Sequence, residues 1–244
     1  NGFGNDSGEL GHNIMDHHLN VGAGAEVDGF DDQYYSGRRA NGFYIPRYRN
    51  IGKDKRDYIR GFGYQGSASR QGWSSAVAEL SIGADLKNAV SKPGKWTVGM
   101  GGFGEILPYH ENFVVINKEK KDKYGLPTLT FDAVLRDNEF KMRKDMAADA
   151  AEMLEASGFK NVKTSDREIG IGLGIHEMGT ARMGKDPKTS VLNKWNQVHA
   201  CKNVFVTDGS FMTSAACHNP SLGYMAFTAR AVDYAVSEFK KNNI

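Results

Sequence analysis

With 244 residues, 40% hydrophobic and 25% charged, the chain holds enough apolar material for a substantial core. A net charge of +2 gives no drive toward nucleic acid or an anionic membrane surface, and no apolar run has the length of a membrane span. Two cysteines, Cys201 and Cys217, exclude a disulfide framework, and there is no CxxC pair to bind a metal.

The first residues, Asn1-Gly-Phe-Gly-Asn-Asp-Ser-Gly8, read neither as an initiator region nor as a signal peptide. His12-Asn-Ile-Met-Asp-His-His18 follows and has the look of a metal cluster. On a helix His12 and Asp16 would share a face, but His17 and His18 would not join them. Only His110 or His199 could add a ligand, so no metal site is assigned. Gly22-Ala-Gly24-Ala-Glu26 and Gly99-Met-Gly-Gly-Phe-Gly104 are glycine-rich, yet neither opens a helix, and neither is a dinucleotide fingerprint. Tyr34, Tyr35, Tyr44, Tyr48, Tyr58, Tyr64, Trp73 and Trp96 make the first hundred residues aromatic, which suits a core first and sugar faces second. Arg38, Arg39, Arg47 and Arg49 are open to either a sugar-acid carboxylate or the surface.

Asn112–Asn117 and Thr128–Leu135 predict an antiparallel hairpin around the solvated, mixed-charge turn Lys118–Lys123. Leu129, Phe131, Ala133 and Leu135 alternate as on a half-buried strand. A helix is predicted over 138–157, with Phe140, Ala147, Ala151 and Leu154 on one face and Gly158 as its stop. From Gly174 the text changes to glycine-rich turns, a strand over Asn203–Ser210 and a helix over Ser221–Lys240. Leu222, Ala226, Ala229, Val232, Val236 and Phe239 recur along that helix at helical spacing.

Four positions in this last part carry chemistry. His176 lies in Gly174-Ile-His-Glu-Met-Gly-Thr-Ala-Arg-Met-Gly184, and an imidazole is the side chain suited to a base working near neutrality. Asn219 precedes Pro220 and reads either as a helix cap or as an amide facing a substrate. His218 is its neighbour, and in an extended segment the two would point opposite ways. The same geometry argues against a Cys217–His218 nucleophile pair. Asp208-Gly209 closes the preceding strand and could be an ordinary turn.

Read in order through Met212-Thr-Ser-Ala-Ala-Cys-His-Asn-Pro-Ser-Leu-Gly, residues 174–232 resemble the C-terminal signature of the glucose-methanol-choline (GMC) flavin oxidoreductases. The likeness is nearest to the flavin subunits of bacterial sugar and sugar-acid dehydrogenases. It implies that His176 is the general base, that Asn219 is the second catalytic side chain, and that His218 is an auxiliary. It also implies that Asp208 and Gly209 lie along the ribityl and phosphate linkage of flavin adenine dinucleotide (FAD), with Asn219, Pro220 and Ser221 at the pyrimidine end. The fold implied is α+β: an antiparallel substrate-domain sheet with flanking helices, plus the last strand and helix of an FAD-binding α/β domain. Residues 1–20 would then be a crossover from an FAD domain outside this chain, 21–173 the substrate domain, and 174–244 the C-terminal part of the FAD domain.

The resemblance implies FAD in the longer enzyme, an alcohol or sugar substrate, and electrons passed to oxygen, a quinone, a small subunit or a cytochrome. With no GxGxxG half, this chain alone is expected to hold FAD weakly and to be inactive. The rival readings are a noncatalytic carbohydrate-binding module and a metal-dependent enzyme built on the N-terminal histidines.

Overall fold

The computed structural model describes residues 4–32, 42–70, 82–92 and 94–244. Tyr34, Tyr35, Trp73, Arg38 and Arg39 lie outside the described residues. In chain order the elements are β1 (Val21–Val27), β2 (Phe43–Ile45), β3 (Phe62–Arg70), α1 (Gly83–Val90), β4 (Trp96–Gly104), β5 (Phe113–Lys121) and β6 (Pro127–Asp132). Then come α2 (Asp137–Ala156), β7 (Lys160–Asp166), β8 (Gln197–Val198), β9 (Cys201–Phe205), a 3-10 turn (Gly209–Phe211) and α3 (Ser221–Lys240).

Five strands make one antiparallel sheet in the order β2-β3-β4-β1-β7, with α2 lying across β1, β4 and β7. Alternation dictates the buried side: Val21, Ala23 and Ala25 of β1, Phe62 and Tyr64 of β3, and Val98 and Met100 of β4 meet Met142, Met146, Ala150 and Leu154 of α2. The glycines of β4 now have a physical reason. A Cβ on Gly102 would lie 2.7 Å from the Met146 sulfur, and one on Gly104 2.7 Å from the Met142 sulfur, so their absence lets the helix approach. Gly99 and Gly101 fall on the opposite face.

Helix α2 starts where predicted, with the Glu139 carboxylate accepting the Arg136 N–H at 3.0 Å. It stops at Gly158, whose φ of 82° only glycine adopts freely and whose N–H donates to the Glu155 carbonyl at 2.9 Å. Its buried stripe differs from the predicted one. Phe140 is exposed, while the charged Glu139, Arg143 and Asp149 are buried. Each has partners: Arg143 donates to Asp166 at 2.8 Å and to the Leu19 carbonyl at 3.1 Å. Arg49 holds Asp149 with two bonds of 2.6 and 2.7 Å, and Tyr48 adds a third at 2.7 Å. Ala147 and Leu154 take their expected buried places, and Phe140 alone of the expected stripe is exposed. Arg47 is likewise engaged with backbone carbonyls of Arg49, Asn50 and Arg60, so neither arginine is free for a substrate carboxylate. Tyr48, Tyr58 and Tyr64 belong to this core or pack against it.

The β5–β6 hairpin forms with Val114 opposite Phe131 and Ile116 opposite Leu129. It is a separate two-stranded sheet, and Leu129 and Phe131 are exposed instead of half-buried, because no described element packs over that face. The predicted strand over 203–210 is shorter: β9 ends at Phe205, and the chain turns into the 3-10 segment. A second cluster of Ala181, Val191, Leu192, Val198 and Phe211 packs with Tyr224 and Phe227 of α3. A small seam of Met15, Met178 and Ala215 shares Met212 and Tyr224 with this second cluster. Among the described residues, no helix is long and apolar enough to cross a membrane.

Candidate active site

The segment 11–18 ties the sheet to the stretch around His176. Met15 and Met178 exchange both backbone hydrogen bonds, at 2.8 and 2.9 Å, and the Gly11 N–H donates to Thr180 at 2.7 Å. On its other side, His18 donates to the Gly104 carbonyl at 3.1 Å and Ile106 to the Asp16 carbonyl at 3.3 Å. Gly179 must be glycine here: its φ is 96° and a Cβ would lie 2.2 Å from the Asn13 oxygen. The chain beyond it runs along the 3-10 turn, with Ala181 donating to Ser210 at 2.9 Å and Met183 to Phe211 at 3.0 Å.

The loop before His176 is held by one buried carboxylate. Asp16 accepts the backbone N–H groups of Gly172 at 3.1 Å, Gly174 at 2.8 Å and His17 at 2.7 Å. Ile175, at φ 60°, then turns the chain, and half-buried His176 meets His17, with the two Nδ1 atoms 2.8 Å apart. His17 is 3% exposed, and its Nε2 reaches the carbonyls of Ala215 at 2.9 Å and Ala216 at 3.1 Å. Burial pushes the His17 pKa below its ordinary value, and the His176 ring adds to that shift. Phe103 sits edge-on to His17, with ring centres 5.9 Å apart, and 6.2 Å from His176.

Asn219 and His218 both reach strands β2 and β3. The Asn219 carbonyl oxygen accepts from the Gln65 amide, and His218 Nδ1 meets the Tyr44 hydroxyl at 2.9 Å. Gln65 also donates to Tyr44 at 3.3 Å, and the two are register partners. The expectation that His218 and Asn219 diverge is therefore corrected. It assumed an extended segment, whereas the chain turns at residues 216–218, with Ala216 at φ 57°.

Register places both predicted residues over one surface. Gly63 pairs with Phe103 and Gln65 with Gly101, so Phe103 and Gln65 are diagonal neighbours on the face away from α2. His176 lies against the first and Asn219 against the second. Around them that face is paved with small residues, leaving a hollow of about 420 Å³ lined by Gly22, Gly24, Gln65, Ser67, Gly99 and Ser165.

Asn219 does not cap α3. Pro220 occupies the cap position with no side-chain bond, so the first-turn N–H groups keep their partial positive charge uncapped by a side chain. Asp208 is exposed and caps the 3-10 turn, accepting from the Ser210 N–H at 2.8 Å and from its hydroxyl. Gly209 is buried, and a Cβ there would lie 2.5 Å from both the Glu177 carbonyl and the Tyr224 hydroxyl. Its lack of a side chain serves internal packing. Burial raises the pKa of Cys217, the opposite of what a thiolate nucleophile needs.

The other histidines are separated. His12 stacks on His110 at 4.1 Å and bonds its carbonyl at 2.8 Å. His199 Nε2 contacts the Ser190 hydroxyl at 3.0 Å. His18 is buried beside Gly104 and Met142, and burial drives its pKa down to about 3. Among the described residues no three His, Cys, Asp or Glu side chains are spaced to hold a metal ion. The residue that sequence reasoning missed is His17: set aside as a failed metal ligand, it contacts His176 from 159 positions away. Its neighbours in the sequence gave no sign of that contact.

A family model described as GMC oxidoreductase matches residues 108–228. The 2-methyl-1,2-propanediol dehydrogenase of Mycolicibacterium austroafricanum is 36% identical over 141 residues, which is 56% of this chain and 25% of that protein. The fructose dehydrogenase large subunit of Gluconobacter japonicus is 26% identical over 98% of this chain and 43% of its own length. The chain thus spans less than half the length of these relatives. A solved structure of formate oxidase from Aspergillus oryzae RIB40, 15% identical, superposes on 97% of this chain and 48% of its own with a TM-score of 0.60, a likeness of fold. Residues 108–228 thus match the family model of the GMC oxidoreductases.

Proposed function

We propose that this chain supplies the substrate sheet and the base-bearing region of an FAD-dependent enzyme that oxidises the CH–OH group of an alcohol, with a sugar or sugar acid as the preferred class. The observation that carries the reading is that His176 lies against Phe103 and Asn219 against Gln65, diagonal neighbours on one glycine-paved face of the sheet. When bound, FAD supplies the acceptor for the hydride that leaves the carbinol carbon.

His176 takes the hydroxyl proton as the carbon–hydrogen bond breaks, so an alcohol yields a carbonyl compound, a proton on imidazole and a hydride delivered to the cofactor. Asn219, with His218 beside it, would hydrogen-bond the substrate oxygen. Its amide nitrogen is available for that task, since only its oxygen is engaged by Gln65. The residues that would hold the cofactor are Asp208 and Gly209 along the ribityl and phosphate linkage, and Asn219, Pro220 and Ser221 at the pyrimidine end. The fit rests on the uncapped start of α3, whose N–H groups favour an adjoining negative charge.

The sugar preference draws on the polar, shallow floor of Gln65, Ser67 and glycine backbone, and on the fructose dehydrogenase relative. The name of that relative, a large subunit, also favours a small subunit or a cytochrome as electron partner. We further propose that residues 1–20 are a crossover, 21–173 the substrate domain, and 174–244 part of an FAD domain completed outside this chain. The separate hydrophobic clusters, joined at the Met15–Met178 seam, support that division. Both rival readings lose ground. His12 and His17 have other engagements, and a binding module has no need of a base paired to a buried histidine.

Anaerobic mixing of the flavin-loaded enzyme containing this chain with simple diols, hexoses and aldonic acids tests the reading. Bleaching of the flavin by at least one class is expected, fastest with a sugar or sugar acid. A flavin that no alcohol reduces would contradict it.

A further inference from the structure

The reading above gives His17 no role of its own. Its ring is almost wholly enclosed, and both nitrogens are engaged. Carbonyl oxygens can only accept, so Nε2, which reaches Ala215 and Ala216, carries a hydrogen. A neutral imidazole has one N–H, so Nδ1 of His17 is a lone pair. The 2.8 Å contact to His176 can then be a hydrogen bond only if Nδ1 of His176 donates it. That leaves the lone pair of His176 on Nε2.

We propose that His17 is a positioning residue: anchored to the Ala215 and Ala216 carbonyls, it accepts the Nδ1–H of His176 and so fixes Nε2 of His176 as the atom that receives the substrate proton. The inference rests on the reading of His176 as the base and deepens it.

Three further features support the assignment. The opposite arrangement would need His17 charged and donating. Burial disfavours that charge, and Asp16, the neighbouring carboxylate that favours it, already accepts three backbone N–H groups. When His176 gains a proton on Nε2 it becomes a cation, and a neutral Nδ1 acceptor on His17 is the partner that form needs. The same ring also braces the carbonyls two and three residues ahead of His218, so one side chain sets the distance between the base and the segment leading to Asn219. The residue thus joins the three stretches that converge on the site: 11–18, 172–178 and 215–219.

Histidine-selective nitrogen-15 labelling of the 244-residue chain, read by long-range proton–nitrogen NMR, reports ring tautomers directly. The expected result is His17 with hydrogen on Nε2 and His176 with hydrogen on Nδ1. Finding His176 with its hydrogen on Nε2 would overturn the proposal, and this measurement needs neither flavin nor a variant. In the flavin-loaded enzyme, His17→Phe removes the acceptor and should slow flavin reduction by about 10–100-fold with little change in KM, the usual weight of an orienting partner. His17→Asn, which puts an amide oxygen near the position of Nδ1, should recover part of that loss. In a His176→Ala background, His17→Phe should cost nothing further, because there is no base left to orient. Equal losses in both backgrounds would mean that His17 is merely structural. If His176→Ala reduces flavin at the native rate, the reading of the base fails, whereas the tautomer measurement stands on its own.

Discussion

Gly209 illustrates how a residue's reason can differ from its expected one. The resemblance placed it against a cofactor, but its missing side chain makes room for the Glu177 carbonyl and the Tyr224 hydroxyl. Gly209→Ala should therefore destabilise the flavin-free chain by about 1–3 kcal/mol, the usual result of forcing a methyl into packed structure. Thermal unfolding without cofactor checks this, and an unchanged midpoint would return the glycine to a purely cofactor-facing role. Sequence was informative at His176 and at Asn219-Pro220 because motif text is local. It was silent on His17, Gln65 and Tyr44, which touch His176, Asn219 and His218 from 159, 154 and 174 positions away. Such contacts depend on strand register, which a single sequence does not encode residue by residue.

Elements were legible where the period was clean and flanked by stops. Helix α2 forms where it was expected, since Glu139 and Gly158 give local signals, and the β5–β6 pairing forms too, although β5 runs on to Lys121 and the turn falls at Asp122–Gly125 instead of over Lys118–Lys123. Burial was less legible. The hairpin face stays exposed, and the inward stripe of α2 includes charges that a hydrophobic count assigns to solvent. Those charges make a prediction. Arg49 is the cation that satisfies Asp149, so Arg49→Leu leaves a buried carboxylate held only by Tyr48. A loss of about 3 kcal/mol in urea unfolding is expected, as for one partner removed from a buried pair. A variant as stable as the parent would show that the pair is dispensable. The sites at His176 and Asn219 are carried by other elements and should keep their geometry.

At the scale of the molecule, α3 is the unusual feature. One side of the helix packs on the second core, while Leu222, Met225, Val232, Val236 and Phe239 form an exposed apolar stripe at steps of three, four and seven. The proposed division, with the flavin domain completed by other chain, accounts for that stripe. A ligand as large as FAD gains affinity by enclosure, and Asp208 and the start of α3 offer an open surface. The 244-residue chain alone should consequently leave gel filtration without stoichiometric flavin absorbance, and adding the N-terminal half of the enzyme should restore a yellow complex. A yellow 244-residue protein would contradict this.

The central claim is that the proton of the substrate hydroxyl leaves through His176. Stopped-flow reduction of the flavin-loaded enzyme, wild type against His176→Ala, tests it most directly at saturating alcohol without oxygen. The rate should fall by about 10²–10⁴-fold while substrate affinity changes much less, the usual contribution of a positioned base. Retention of most of the native rate would contradict the account, because the proton would then have another acceptor.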